Sequence, residues 1–117
     1  MKKSPEELLE ARNAFAEVMA IAKVVPIEAV RIVRGKFSLQ DYVQVEAIAK
    51  NTGLEGIPYI HFADFNTWIH RGYCVQKGQK AVCSVPTIKT FNDKETGESK
   101  RVPWTSYLFH ISQVKEL

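Results

Sequence analysis

No stretch of these 117 residues approaches the roughly eighteen consecutive apolar positions of a membrane-spanning helix. The first residues are charged and helical in pattern, without the apolar core of a secretory leader, so a cytoplasmic, reducing setting is the expectation. Cysteine is scarce as well. Cys74 and Cys83 are expected on neighbouring strands, where a disulfide is geometrically conceivable but not demanded, and a reducing compartment favours two thiols in or near the core. Histidine is limited to His61, His70 and His110, and only His70 and Cys74 approach the close ligand spacing of a tetrahedral zinc site. No metal or other cofactor is therefore expected. Acidic residues are scattered, no Cys/His/Asp order suggests a nucleophile, and His-Glu-x-x-His does not occur, which argues against an enzyme. Repeats, low-complexity tracts and long linkers are also missing, so one domain over 1–117 is expected, helical over 1–56 and strand-rich over 57–117.

What is present begins with charge. The net charge of +3 hides an asymmetry: residues 1–60 hold eight basic and eight acidic residues, residues 61–117 eight and five. Between Phe65 and Asn92 stand Arg71, Lys77, Lys80 and Lys89 with no acidic residue. Local charge of this kind points to a polyanion.

The chain order predicts an α+β fold, with N-terminal helices packed on a small antiparallel sheet and a C-terminal β-hairpin. Ser4-Pro5-Glu6-Glu7 has the form of a capping box, opening a helix to about Val24 whose stripe is Leu8, Ala11, Phe15, Val18, Met19 and Ala22. Ile27 to Val33 fits a helix or a strand, and we favour helix, ended by Gly35. Ser38 caps a third helix to Asn51. A short strand is expected from Pro58 to Phe62, a small helix around Trp68 capped by Asp64 and closed by Gly72, and strands over Ala81–Phe91 and Val102–Ile111 joined by a polar loop.

Between the small helix and the next strand, Gln76-Lys77-Gly78-Gln79 predicts a tight turn with Gly78 at positive φ, so that Lys77 and Lys80 project together as in a recognition hairpin. Binding a single strand needs cations along the backbone and flat rings for the bases. Arg71, Lys77, Lys80 and Lys89 are the candidate cations; Tyr73, Trp104 and Tyr107 are the candidate platforms, with Trp68 and Phe91 also available. Trp68 and Phe65 serve as well to pack the small helix onto the sheet, and for Trp68 that is the reading we favour. Arg31, Arg34 and Lys36 form a second basic cluster that could extend the groove, but cations at a solvated helix C-terminus are the reading we favour.

The run Phe65-Asn66-Thr67-Trp68-Ile69-His70-Arg71-Gly72-Tyr73-Cys74-Val75-Gln76-Lys77-Gly78-Gln79-Lys80-Ala81, then Pro86, then Tyr107-Leu108-Phe109-His110-Ile111-Ser112-Gln113, resembles the N-terminal single-stranded-DNA-binding domain of ArdC-type antirestriction proteins. The similarity extends over roughly Ile60 to Gln113, slightly under half the chain. It implies sequence-tolerant binding of single-stranded DNA in a plasmid or phage protein acting in a bacterial host cell, stand-alone and without the family's metalloprotease-like domain. The rival expectation is a small phage inhibitor of a protein in a restriction, CRISPR or other immune complex. The expected partners are thus single-stranded nucleic acid, a host defence protein in the rival case, and a second copy through the apolar N-terminal helix; a membrane is not among them.

Overall fold

The structure is a computed structural model that describes residues 3–35 and 37–117. It is an α+β fold whose helices come first: α1 (Pro5–Ala22), α2 (Pro26–Arg34) and α3 (Leu39–Lys50), followed by β1 (Phe62–Asp64), α4 (Phe65–His70), β2 (Tyr73–Val75), β3 (Cys83–Asn92), β4 (Ser99–His110), a 3-10 turn (Ile111–Gln113) and β5 (Val114–Glu116). Among the described residues, no helix is long and apolar enough to cross a membrane.

Caps account for the helix starts. The Ser4 oxygen accepts from the Glu7 amide at 3.2 Å, but its hydroxyl also donates to the Glu7 carboxylate at 3.1 Å, so the glutamate returns to the serine side chain. Ser38 accepts from the amides of Gln40 and Asp41, and Asp64 from that of Thr67 at 2.7 Å. The segment after Pro26 is helix, ended by Gly35 at φ +68°. Gly72, at φ +90°, closes α4, its amide bonding the Ile69 carbonyl.

The strands form two sheets. One has the order β1-β4-β3, all antiparallel, with Asp64 opposite Leu108 and Asn92 opposite Ser99; the other pairs β2 with β5. This corrects two expectations. Cys74 and Cys83 lie on different sheets, and both are free thiols. The segment carrying Lys77 and Lys80 is also no hairpin turn, because β2 takes the C-terminal strand as partner and the turn links one sheet to the other.

The strand expected from Pro58 starts only at Phe62. Residues 58–61 turn instead, with the Ile57 carbonyl accepting from the amides of Ile60 and His61, and the Ile57 amide donating to His61 Nδ1 at 2.9 Å. Gly56 permits this close approach: a Cβ there would sit 2.4 Å from the His61 Cβ.

Two apolar clusters hold the layers together. Phe15, Val18, Ala22, Val30, Tyr42 and Trp68 join the helices, while Val45, Ala49, Phe62, Val85 and Leu108 join α3 to the three-stranded sheet. Beyond Val85 and Ser106 the β3–β4 pair leaves the core and runs on as a two-stranded arm, exposed on both faces to its polar tip.

Candidate nucleic-acid interface

The 76–79 turn forms as its residues predict. The Gln79 amide donates to the Gln76 carbonyl at 3.1 Å, and Gly78 takes φ +85°, the conformation that the third position of a type II turn requires. Gln113 holds the turn in place. Its buried amide donates to the Lys80 carbonyl at 2.7 Å and to Gln79 Oε1, while its Oε1 accepts from the His110 amide. Lys77 and Lys80 are exposed, and no described carboxylate pairs with them.

The rings are elsewhere. Trp104 is 45% exposed, Tyr107 59% and Phe91 48%, more than packing within the domain would leave for three aromatic side chains. All three belong to the arm. Lys89 Nζ lies 4.1 Å from the centre of the Trp104 ring, and the Phe91 ring centre is 6.5 Å from it. Cross-strand partners share a face, so the pairs Thr87–Trp104, Lys89–Val102 and Phe91–Lys100 make one surface; Tyr107, opposite Ser84, belongs to the other. Past Asp64 the β4 edge has no partner among the described residues, and here Lys89, Trp104, Tyr107, Phe65 and Phe109 line a cleft of about 250 Å³. Among the described residues, no cation–ring contact joins Lys77 or Lys80 to Trp104, and neither lysine lines the cleft with it. The cation beside the ring is Lys89.

Pro86 and Pro103 sit in the middle of the arm's two strands. A proline fits such a ladder where its nitrogen faces out, so each free edge has lost a donor and is a poor template for another strand. The arm's faces and rings, not its backbone edges, are left for contacts.

Two expected contact residues belong to the interior. Arg71 is buried; its guanidinium donates to the carbonyls of Ile60 at 3.0 Å and Tyr59 at 2.6 Å, and lies over the rings of Phe15 at 4.5 Å and Trp68 at 4.9 Å. The Arg71 group that was expected to follow a phosphate backbone is therefore spent on the fold. Tyr73 is half-buried, its ring edge-on to those of Phe15 and Trp68, each at 6.0 Å between centres. Trp68 itself is fully buried and donates to the Phe109 carbonyl at 3.0 Å. In the second basic cluster, Arg31 pairs with Glu28 at 3.6 Å and Arg34 lies 4.5 Å over the Tyr59 ring; Lys36 is outside the described residues.

Burial raises the pKa of the Cys83 thiol, which suits an inert core group. Among the described residues, no three His, Cys, Asp or Glu side chains gather as a metal site. Burial, then the nearness of His110 and Arg71, lowers the pKa of His61 below the ordinary histidine range. The unfolded chain therefore takes up this proton first. Stability from His61 is complete above the unfolded value of about 6.5 and declines as pH falls from there towards the lower folded value. Thermal melts from pH 7.5 downward should show that decline, and it should shrink in His61→Asn, which does not titrate.

The fold and this surface define a small α+β domain that carries a ring-bearing two-stranded arm. No protein-family model matches the chain, and no curated protein or solved structure matches it.

Proposed function

We propose that the protein is a non-catalytic single-stranded-DNA-binding protein of a phage or plasmid, shielding mobile-element DNA from host defence in the manner of the ArdC-type domains its sequence resembles. The observation that carries this reading is the solvated Trp104 ring with the Lys89 ammonium 4.1 Å from its centre and the exposed Phe91 ring beside it, with the exposed Tyr107 lining the same cleft from the other face. Rings stack on bases of any sequence, and a cation held next to them answers the phosphate that follows each base. Trp104 and Tyr107 are the stacking residues, Lys89 follows the backbone beside them, and Lys77 and Lys80 meet phosphates further along the strand. Arg71 and Tyr73 are absent from this contact set because the core uses them.

Titrating labelled oligonucleotides at several salt concentrations tests the proposal. Replacing Lys77 and Lys80 together by alanine should weaken binding and flatten the salt dependence by about 1.4 in logarithmic slope, the release of two phosphate counterions from a single strand at about 0.7 each. Binding by the unaltered protein that does not vary with salt would end this reading.

A second reading rests on the apolar side chains Ile88, Phe91 and Val102, exposed on an arm tipped by Asp93, Glu95 and Glu98. An arm of this composition also suits insertion into a protein of a host immune complex. A partner retained after nuclease treatment of a host lysate favours that alternative; one released by nuclease favours the first.

A further inference from the structure

A cavity of about 120 Å³ lies where α2, α3 and α4 meet the base of the arm, and Arg34, Asp41, Gln44, Asp64 and Ser106 are among its lining residues. Tyr59, Thr67, Arg71 and Thr87 complete the polar part of its wall. An apolar cavity of about 150 Å³ is known to hold benzene, so this space matches one six-membered ring and is too small for a whole nucleotide.

The lining selects by charge and hydrogen bonding. Arg34 and Arg71 are matched by Asp41 and Asp64, so a bound anion would face two carboxylates, while two Arg71 donors are already taken by backbone carbonyls. A neutral ring is favoured, provided that it has an amino group for a carboxylate and a carbonyl or ring nitrogen for Arg34 or the Gln44 amide. Tyr59 marks the wall as specialised: it holds φ +68° without being glycine, kept there by its carbonyl bond to Arg71 and by the Arg34 guanidinium over its ring.

Position connects this cavity to the surface. Asp64 and Ser106 line both the cavity and the cleft that contains Trp104, Tyr107 and Lys89. A strand stacked on Trp104 would lie against the wall that cavity and cleft share.

We propose that the cavity takes one unstacked cytosine of a bound single strand, an inference that rests on the nucleic-acid reading above. Cytosine offers an amino group for the aspartates and a carbonyl and ring nitrogen for the donors. Thymine has a single ring N–H where the cytosine amino group has two, and would leave one of the two carboxylates unmatched, and the two-ring purines exceed the space.

The test compares oligo-dC with oligo-dT of equal length, by fluorescence anisotropy at one salt concentration. The unaltered protein should prefer oligo-dC by at least about fivefold, the low end of discrimination by a matched polar pair. Asp41→Asn, which replaces a carboxylate of the cavity that is no part of the cleft, should bring the ratio near one and leave oligo-dT binding unchanged; Ser106→Phe, which adds a ring at the wall shared by cavity and cleft, should also bring the ratio near one, whatever it does to the affinity for both oligomers. Circular dichroism establishes that each variant is folded, and if Ser106→Phe is not, Asp41→Asn decides. Deoxycytidine alone should compete only weakly; competition as strong as that of the oligomer would mean a nucleoside site independent of a strand and would overturn the proposal. Equal affinity for the two oligomers, or a preference that survives in both folded variants, overturns it while the DNA-binding reading stands. Failure to bind either oligomer removes both.

Discussion

Arg71→Ala is expected to destabilise the protein by about 3–5 kcal/mol, enough to unfold a domain of ordinary stability. The substitution leaves the carbonyls of Tyr59 and Ile60 without their donor, at about 1–3 kcal/mol for each buried acceptor, and opens a space between the rings of Phe15 and Trp68. Burial lowers the Arg71 pKa to about 10, so the group is still charged at neutral pH and the loss should vary little from pH 6 to 8. Urea unfolding followed by tryptophan fluorescence measures it. Lysine at this position keeps the charge but lacks the planar fork that reaches two carbonyls, and should recover only part of the loss. If Arg71 were a surface contact for DNA, alanine would reduce affinity and spare stability. A folded Arg71→Ala protein with normal melting would contradict the structural role assigned to it.

Trp104→Ala should show the opposite pattern. Losing one stacking platform is worth about 1–3 kcal/mol, a decrease in oligonucleotide affinity of about 5- to 150-fold, whereas the exposed position of the ring should keep the change in stability within about 0.5 kcal/mol. Lys89→Ala should weaken binding less. The double variant should lose less than the sum of the two, because the ammonium and the ring act on the same nucleotide. Anisotropy titrations paired with thermal melts separate the two quantities. A Trp104→Ala protein that melts early and binds normally would make the ring a packing residue and remove the main support for the proposed function.

The contrast between Arg71 and Lys89 explains how much of the site was legible in the chain. Both are basic residues near aromatic ones in a segment without acids, and charge counting treats them alike. Arg71 follows a short helix whose Trp68 must be buried, and α1 supplies Phe15 from 56 positions earlier to complete the enclosure. Lys89 lies beyond the point where β3 leaves the core. Neither circumstance has a local signature. The 120 Å³ cavity is similar, since residues of α2, α3, α4 and the arm build its wall and none of them belongs to a recognisable motif.

Signals that act within four or five residues were available from the amino-acid order alone. Ser4, Ser38 and Asp64 start helices because each side chain reaches an amide two or three positions ahead, and Gly72 and Gly78 end a helix and make a turn because their backbones take positive φ. The α+β order of elements follows from these and from the change in apolar period. Long-range pairing settled the rest: β2 joined β5 and not β3, so the Lys77–Lys80 turn became a link between sheets, held by Gln113 and separate from the rings. Which strands pair, and which cations end up inside, depends on the free energy of burying surfaces distant in the chain, and no neighbouring residue encodes that.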